Sequence, residues 1–193
     1  MKKFLVIIVI SLCFTTSSQA NDIRDFQIEG MSIGDSLMDY YSNEEIKNFT
    51  KVKYDKSDEY IKLEGLSSKT NKYDTLSVHI EKDDKKYKIH SISGGIFFRK
   101  SFEECFKKKK EIVNSFKSSL KKVNLREYEF KYKIDDSKSI AYISDFDHKD
   151  GSSIRVWCVN WSKVTEDKRQ FVDNLAINLS PNYFLKWRNY KAN

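Results

Sequence analysis

Proline and glycine are scarce in this chain, with one proline and six glycines among 193 residues. No Pro-rich or Gly/Ser-rich stretch interrupts it, so the sequence offers no obvious linker, and its length suits one domain by the usual ~100–200 residues per domain. Cysteine is scarce too: three are present, without a CxxC spacing or clustered histidines beside them. A structural zinc site is therefore not expected, nor any other metal or cofactor. No Gly-rich nucleotide-binding pattern occurs. Apart from its first residues, the chain has no apolar run long enough to cross a membrane as a helix. It shows no internal repeat, and its low-complexity stretches are short lysine runs.

The start of the chain does carry an apolar run. Lys2 and Lys3 precede Phe4 to Phe14, a stretch of the length found in secretion signals and too short for a mature membrane span. Ser18-x-Ala20 then places small residues where a signal peptidase cuts, so residues 1–20 are expected to be removed after Ala20, leaving 21–193 as the domain. The rival is lipidation at Cys13, where Leu12 stands in the place of the small residue that chemistry prefers. Export implies a periplasmic or secreted protein. Without Lys2 and Lys3, the full chain's 35 basic residues fall by two to 33 against 28 acidic, a net charge of five. That excess permits an anionic partner without demanding one, and nucleic acid is not the expected partner.

Removing the signal also removes Cys13, which leaves Cys105 and Cys158, an even pair in an oxidising compartment. Phe102, Cys105, Phe106, Ile112, Val113, Phe116 and Leu120 share one face at helical spacing, while Cys158 alternates with Ile154 and Val156 along a strand. Both thiols point to the core side of their elements, so a disulfide is expected. Closing a loop of about 50 residues should stabilise the fold by ~4 kcal/mol. The remaining pattern predicts a helix start at Gly34-Asp35 and a second short helix capped near Ser42. Strands are predicted near 58–64, 73–81, 87–98, 126–134, 138–145, 152–161 and 173–180. A terminal helix should open with Ser180 as cap and Pro181 in its first turn. Hairpins dominate, which predicts an α+β fold: a mostly antiparallel sheet with a long amphipathic helix, about 101–122, packed on one face.

Two motifs suggest a catalytic chemistry. Gly34-Asp35-Ser36-Leu37 spells the signature of the GDSL hydrolases, and Asp145-Phe146-Asp147-His148 resembles that family's D-x-x-H. The resemblance implies a secreted serine esterase with Ser36 as nucleophile, His148 as base and Asp145 orienting it. The lead-in to Ser36 alternates polar residues and contains Gly30, where those enzymes have a buried parallel strand, and their oxyanion motif is missing. The competing expectation is that Gly34 makes a turn and Asp35 or Ser36 caps a helix. A second resemblance covers more of the chain. Residues 25–42, around Ile28-Glu-Gly-Met-Ser-Ile-Gly-Asp-Ser-Leu37, together with one cysteine on a lysine-rich helix and another after Val-Trp, are similar to a family of exported proteins from small-genome marine bacteria. It implies export and no particular activity. Gly30-x-x-x-Gly34 before a helix is also similar to the opening of small periplasmic modules of the β-lactamase-inhibitor and outer-membrane-assembly type, which implies a non-enzymatic binding domain.

Four further constellations are candidates. Lys107 to Lys110, with Lys117, Lys121 and Lys122, make the long helix basic, either as a solvated face or as a dock for an anionic surface. Lys109 falls inside the apolar arc, where it would have to snorkel. Asp145, Asp147, Asp150 and Gly151 approach a calcium loop with one ligand a residue late, or else form a turn. His79 and His90 would lie opposite one another if Ile80 pairs with Ile89, as a weak metal or pH-sensitive pair. Arg155, Trp157 and Trp161 lie on the strand face opposite Cys158. Either the terminal helix with Tyr183, Phe184 and Trp187 covers them, or they form an exposed platform for a glycan or peptide. The resulting expectation is an exported, non-catalytic domain that binds an envelope protein or glycan at Arg155, Trp157 and Trp161. The alternative is the hydrolase using Ser36 and His148.

Overall fold

The computed structural model describes residues 22–135 and 138–192; the expected signal sequence, 1–20, lies outside them. The chain alternates between hairpins and short helices. Helix α1 (Asn43–Asn48) leads into strands β1 (Thr50–Val52), β2 (Tyr60–Glu64), β3 (Thr75–Glu81) and β4 (Ser91–Phe97). Helix α2 (Phe102–Ser119) crosses to β5 (Asn124–Lys131), β6 (Ile140–Asp147) and β7 (Ser153–Asn160). Helix α3 (Lys163–Arg169), strand β8 (Asn174–Ser180) and helix α4 (Asn182–Trp187) complete the chain, with a π-helical turn at Arg188–Ala192.

All eight strands join one antiparallel sheet in the order β1-β2-β3-β4-β8-β7-β6-β5. Each half is a four-stranded meander, and the two meet where β4 pairs with β8. The α+β, antiparallel expectation therefore holds. The predicted helix over 101–122 is shorter, at 18 residues, and the other helices run six or seven residues. Leu120 turns extended and Lys122 takes a positive φ of 66°, which ends the helix before the second lysine pair.

Side chains alternate between the faces of a strand, and one face collects the main core. Leu63, Val78, Ile92, Leu175, Ile154, Val156 and Phe146 are buried there. Helix α2 packs across β7 and β8 on that face, joined to β7 by a disulfide between Cys105 and Cys158. The N-terminal segment covers the β2–β4 half of the same face through Ile28, Met31, Ile33 and Leu37. Gly94 is required in β4 because a Cβ there would lie 2.5 Å from the Tyr73 ring.

The predicted cap at Ser42 is present as a full capping box with Glu45. The GDSL segment forms one 3₁₀ turn, Leu37–Asp39, instead of a longer helix, and Ser36 is its cap. The last helix begins one residue later than predicted, at Asn182, with Pro181 in the cap position. Strand β1 and helix α3 had no expectation attached to them.

Lys109 sits on the buried face of α2, as the helical phase requires. Its stem lies in the core and its ammonium reaches Ser144 Oγ at 2.6 Å, with Glu127 at 3.9 Å at the sheet edge. Burial holds its pKa below the usual lysine value, and Glu127 opposes that shift.

Candidate functional site

The residues singled out as a hydrolase site are tied into the fold by their own contacts. Gly34 N–H donates to Ile89 O at 2.8 Å, Ile89 N–H to Asp35 O at 2.9 Å, and Leu37 N–H to Tyr87 O at 3.0 Å. The segment thus clamps the connection entering β4, and Gly34, at φ 99°, makes the turn that permits it. The Ser36 hydroxyl donates to Lys86 O at 2.7 Å and accepts from Met38 N–H. Asp35 accepts from Ser32 N–H and from the Tyr40 hydroxyl, whose pKa is pushed up to about 12 by burial and by that carboxylate. No hydrogen bond joins Ser36 to His148 among the described residues. His148 packs its ring against Phe26 on the core face, and its Nε2 is buried without a hydrogen-bond partner among the described residues. Asp145 points from β6 to the opposite face of the sheet.

The same clamp corrects the histidine register. Because Ile89 pairs with the N-terminal segment, it does not oppose Ile80, and His79 stands opposite Ser91 instead. His79 accepts or donates at 2.6 Å with the Tyr54 hydroxyl, while His90 meets Tyr183 and Tyr60. The acidic run around Asp147 is a turn: Asp150 accepts from Ser152 and Gly151 adopts φ 83°. Among the described residues no group of three His, Cys, Asp or Glu could hold a metal ion.

The outer face of the sheet is different. Helix α4 packs Phe184 and Trp187 on Tyr60, Tyr54 and His79 of the β2–β4 half, and its Leu185 reaches a polar pocket with Asp147 and Ser153. Trp187 is anchored by donating to Ser57 Oγ at 2.9 Å. The β5–β8 half is left more open, and a groove of about 390 Å³ runs across it from Tyr54, Lys62, His79 and Ser93 beside the helix to Trp157 and Tyr128.

Strand register orders this part of the outer face into rows. One row across the sheet carries Arg126, Asp145, Arg155, Asn178 and Ser93. The next row along the strands carries Tyr128, Ile143, Trp157, Ala176 and Gly95. Beyond it lie Phe130, Ala141 and Val159, closed by Tyr132, whose ring packs at a tilt against Trp161. Polar residues thus give way to apolar ones along the strand direction.

The polar row is tightly wired. Arg155 Nε donates to Asp145 Oδ1 at 2.7 Å and its Nη2 to Oδ2 at 2.9 Å. The Tyr128 hydroxyl and Arg126 also donate to Oδ2, at 2.9 and 3.3 Å. Burial opposes the charge of Arg155, but the Asp145 bonds hold its pKa above the usual value. Asn178 donates to Ser91 Oγ, Ile92 O and Ser93 Oγ and accepts from Ser180.

Arg188 enters from the turn after α4. It lines the groove half-buried, and its guanidinium has no hydrogen-bonded or ion-paired partner among the described residues. Burial and the neighbouring Arg155 both hold its pKa below the ordinary arginine value. The charged side chains lining the groove are Lys62, Arg155 and Arg188, all cationic.

Of the three predicted surface residues, Arg155 and Trp157 line the groove. Trp161 does not: it is wedged between Tyr132 and Phe171 beyond the end of β7, with its indole N–H on Asn174 at 3.3 Å. Phe184 and Trp187 of α4 pack on Tyr54, Tyr60 and His79, while Trp157 lines the groove. Sequence reasoning missed Arg188, Asn178 and the Tyr128-x-Phe130-x-Tyr132 stripe. The stripe's period of two was readable, whereas the position of Arg188 depends on where a short terminal helix docks.

No protein-family model, curated protein or solved structure matches this chain.

Proposed function

We propose that this chain is an exported, non-catalytic binding domain whose ligand site is the more open half of the outer sheet face, centred on Arg155 and Trp157. The observation that carries the reading is the groove itself. An antiparallel sheet can leave one face to water when that face is polar, yet here Tyr128 and Phe130 are 38% and 50% exposed beside Trp157 and Ile143. A concave, aromatic-lined site with a few convergent polar groups is the usual form of a ligand pocket. Export is supported by the signal-like first twenty residues and by the buried disulfide, a bond favoured outside the reducing cytosol. Asp22 caps the first turn of the described chain, two residues beyond the expected cleavage site. No helix among the described residues is long and apolar enough to cross a membrane.

The test is amide chemical-shift mapping of the oxidised protein against a small fragment set containing apolar, aromatic, saccharide and peptide members. Binders should perturb residues of β5–β8 around Arg155 and Trp157, and Trp157→Ala should remove their binding. Perturbations confined to other surfaces would refute the site. Hydrolysis of a chromogenic ester, lost on Ser36→Ala, would instead support the GDSL-type alternative.

A further inference from the structure

The groove has a direction and a sign, and together they specify a ligand. Along the strands, the lining runs from Arg155 and Asn178, in the row of Arg126 and Asp145, to Trp157, Ile143 and Tyr128 and then to Phe130 and Ala141. The five residues from Arg155 to Val159 span about 13 Å of strand, and the far end is closed by Tyr132, backed by Trp161.

The charges are unequal in their commitments. Arg155 spends two of its nitrogens on Asp145 and Tyr128. Lys62 pairs with Glu64 at 2.5 Å. Arg188 alone among the three brings a whole guanidinium into the groove with no partner among the described residues, at the polar end. Leaving a half-buried guanidinium without acceptors is costly, and its planar fork fits a carboxylate through two parallel bonds.

Resting on the reading of this groove as the ligand site, we propose that it takes a small monocarboxylate with an extended apolar body. The carboxylate meets Arg188 beside Arg155 and Asn178, and the body lies along Trp157, Ile143 and Tyr128 toward Phe130. One free guanidinium, with Asp145 and Asp147 close by in the adjoining polar pocket, suits one negative charge better than two. The depressed pKa of Arg188 agrees with this, because a bound anion would relieve the burial and the repulsion from Arg155 that cause it.

Calorimetric titration of the unaltered, oxidised protein with decanoate, decanol, decyl phosphate and glucuronate tests the proposal. Decanoate should bind at least tenfold more tightly than each of the others, and Arg188→Gln should bring decanoate down to the level of decanol. Equal binding of decanoate and decanol would overturn the carboxylate contact while leaving the groove as an apolar site. Tighter binding of decyl phosphate would overturn it in favour of a phosphate head, and tighter binding of glucuronate would overturn the apolar body in favour of an acidic sugar. Absence of binding by all four would also overturn it, and the fragment mapping described above then decides separately whether the groove binds anything. The comparison among ligands needs no variant, so it stands even if Arg188→Gln fails to fold.

Discussion

Asp145 is fully buried, and both its carboxylate oxygens are occupied by Arg155, Arg126 and Tyr128. Removing it would strand Arg155, whose side chain keeps a third of its exposure. Breaking a buried pair costs about 3–5 kcal/mol, and partial exposure of both arginines reduces that, so Asp145→Ala should destabilise by ~2 kcal/mol in urea unfolding. An unchanged midpoint would mean that water screens the cluster. His79 makes the complementary case. Its pKa is pushed down to about 3, by burial first and then by Lys62 and Arg188. Burial lowers His90 as well. Between that value and the unfolded histidine's ~6.5 the unfolded chain binds more protons, so stability rises with pH across the window and falls as pH drops below about 6.5. The slope approaches 1.4 kcal/mol per pH unit for one fully titrating histidine. Thermal melts should lose stability from pH 7 to 5, above the range where carboxylates dominate, and His79→Gln should flatten that loss.

At the scale of elements, α2 carries a buried lysine in a helix whose neighbouring lysines are exposed. Lys109 donates to Ser144, which donates in turn to Glu127 at 2.8 Å. Replacing a buried charge with an apolar side chain of similar length is often neutral or stabilising, whereas stripping its partners is not. Lys109→Met should therefore change unfolding free energy by less than ~1 kcal/mol, while Ser144→Ala should cost ~1–3 kcal/mol by leaving the ammonium short of an acceptor. The reverse order would show that the chain depends on this charge. Elements with strong periodicity were legible beforehand: β3 through Leu76, Val78 and Ile80, and α2 through its apolar face with Cys105. The short β1 and α3 were not, because three exposed residues at 50–52 and the mostly polar run of α3 carry no apolar pattern. The hairpin into β4 was misregistered for a tertiary reason. Residues 34–37 take the backbone groups of 87–89 that a simple hairpin would have used.

For the whole molecule, strand order places the two meanders as mirror sequences, 1-2-3-4 against 8-7-6-5, so every strand from one half reaches the other through β4 and β8 alone. Local pattern could predict the strands but not this seam, since β4 and β8 are about eighty residues apart and nothing periodic links them. Nor could it predict that a terminal helix of six residues packs against the outer face beside a groove lined by Arg155 and Trp157. The disulfide acts at this same scale. It ties α2, which leaves the β4 half, to β7 in the other half across 53 residues. A cross-link of that span should contribute ~4 kcal/mol through the unfolded state. For a chain of this size about 1 kcal/mol shifts the melting temperature by ~2–4 °C, so Cys105→Ala with Cys158→Ala should lower it by about 8–16 °C. Two thiols buried in the core would leave little cavity when replaced by alanine, so the same loss should follow reduction of the unaltered protein. Equal losses assign the effect to the cross-link. A much larger loss in the double variant would assign it to packing around the sulfur atoms.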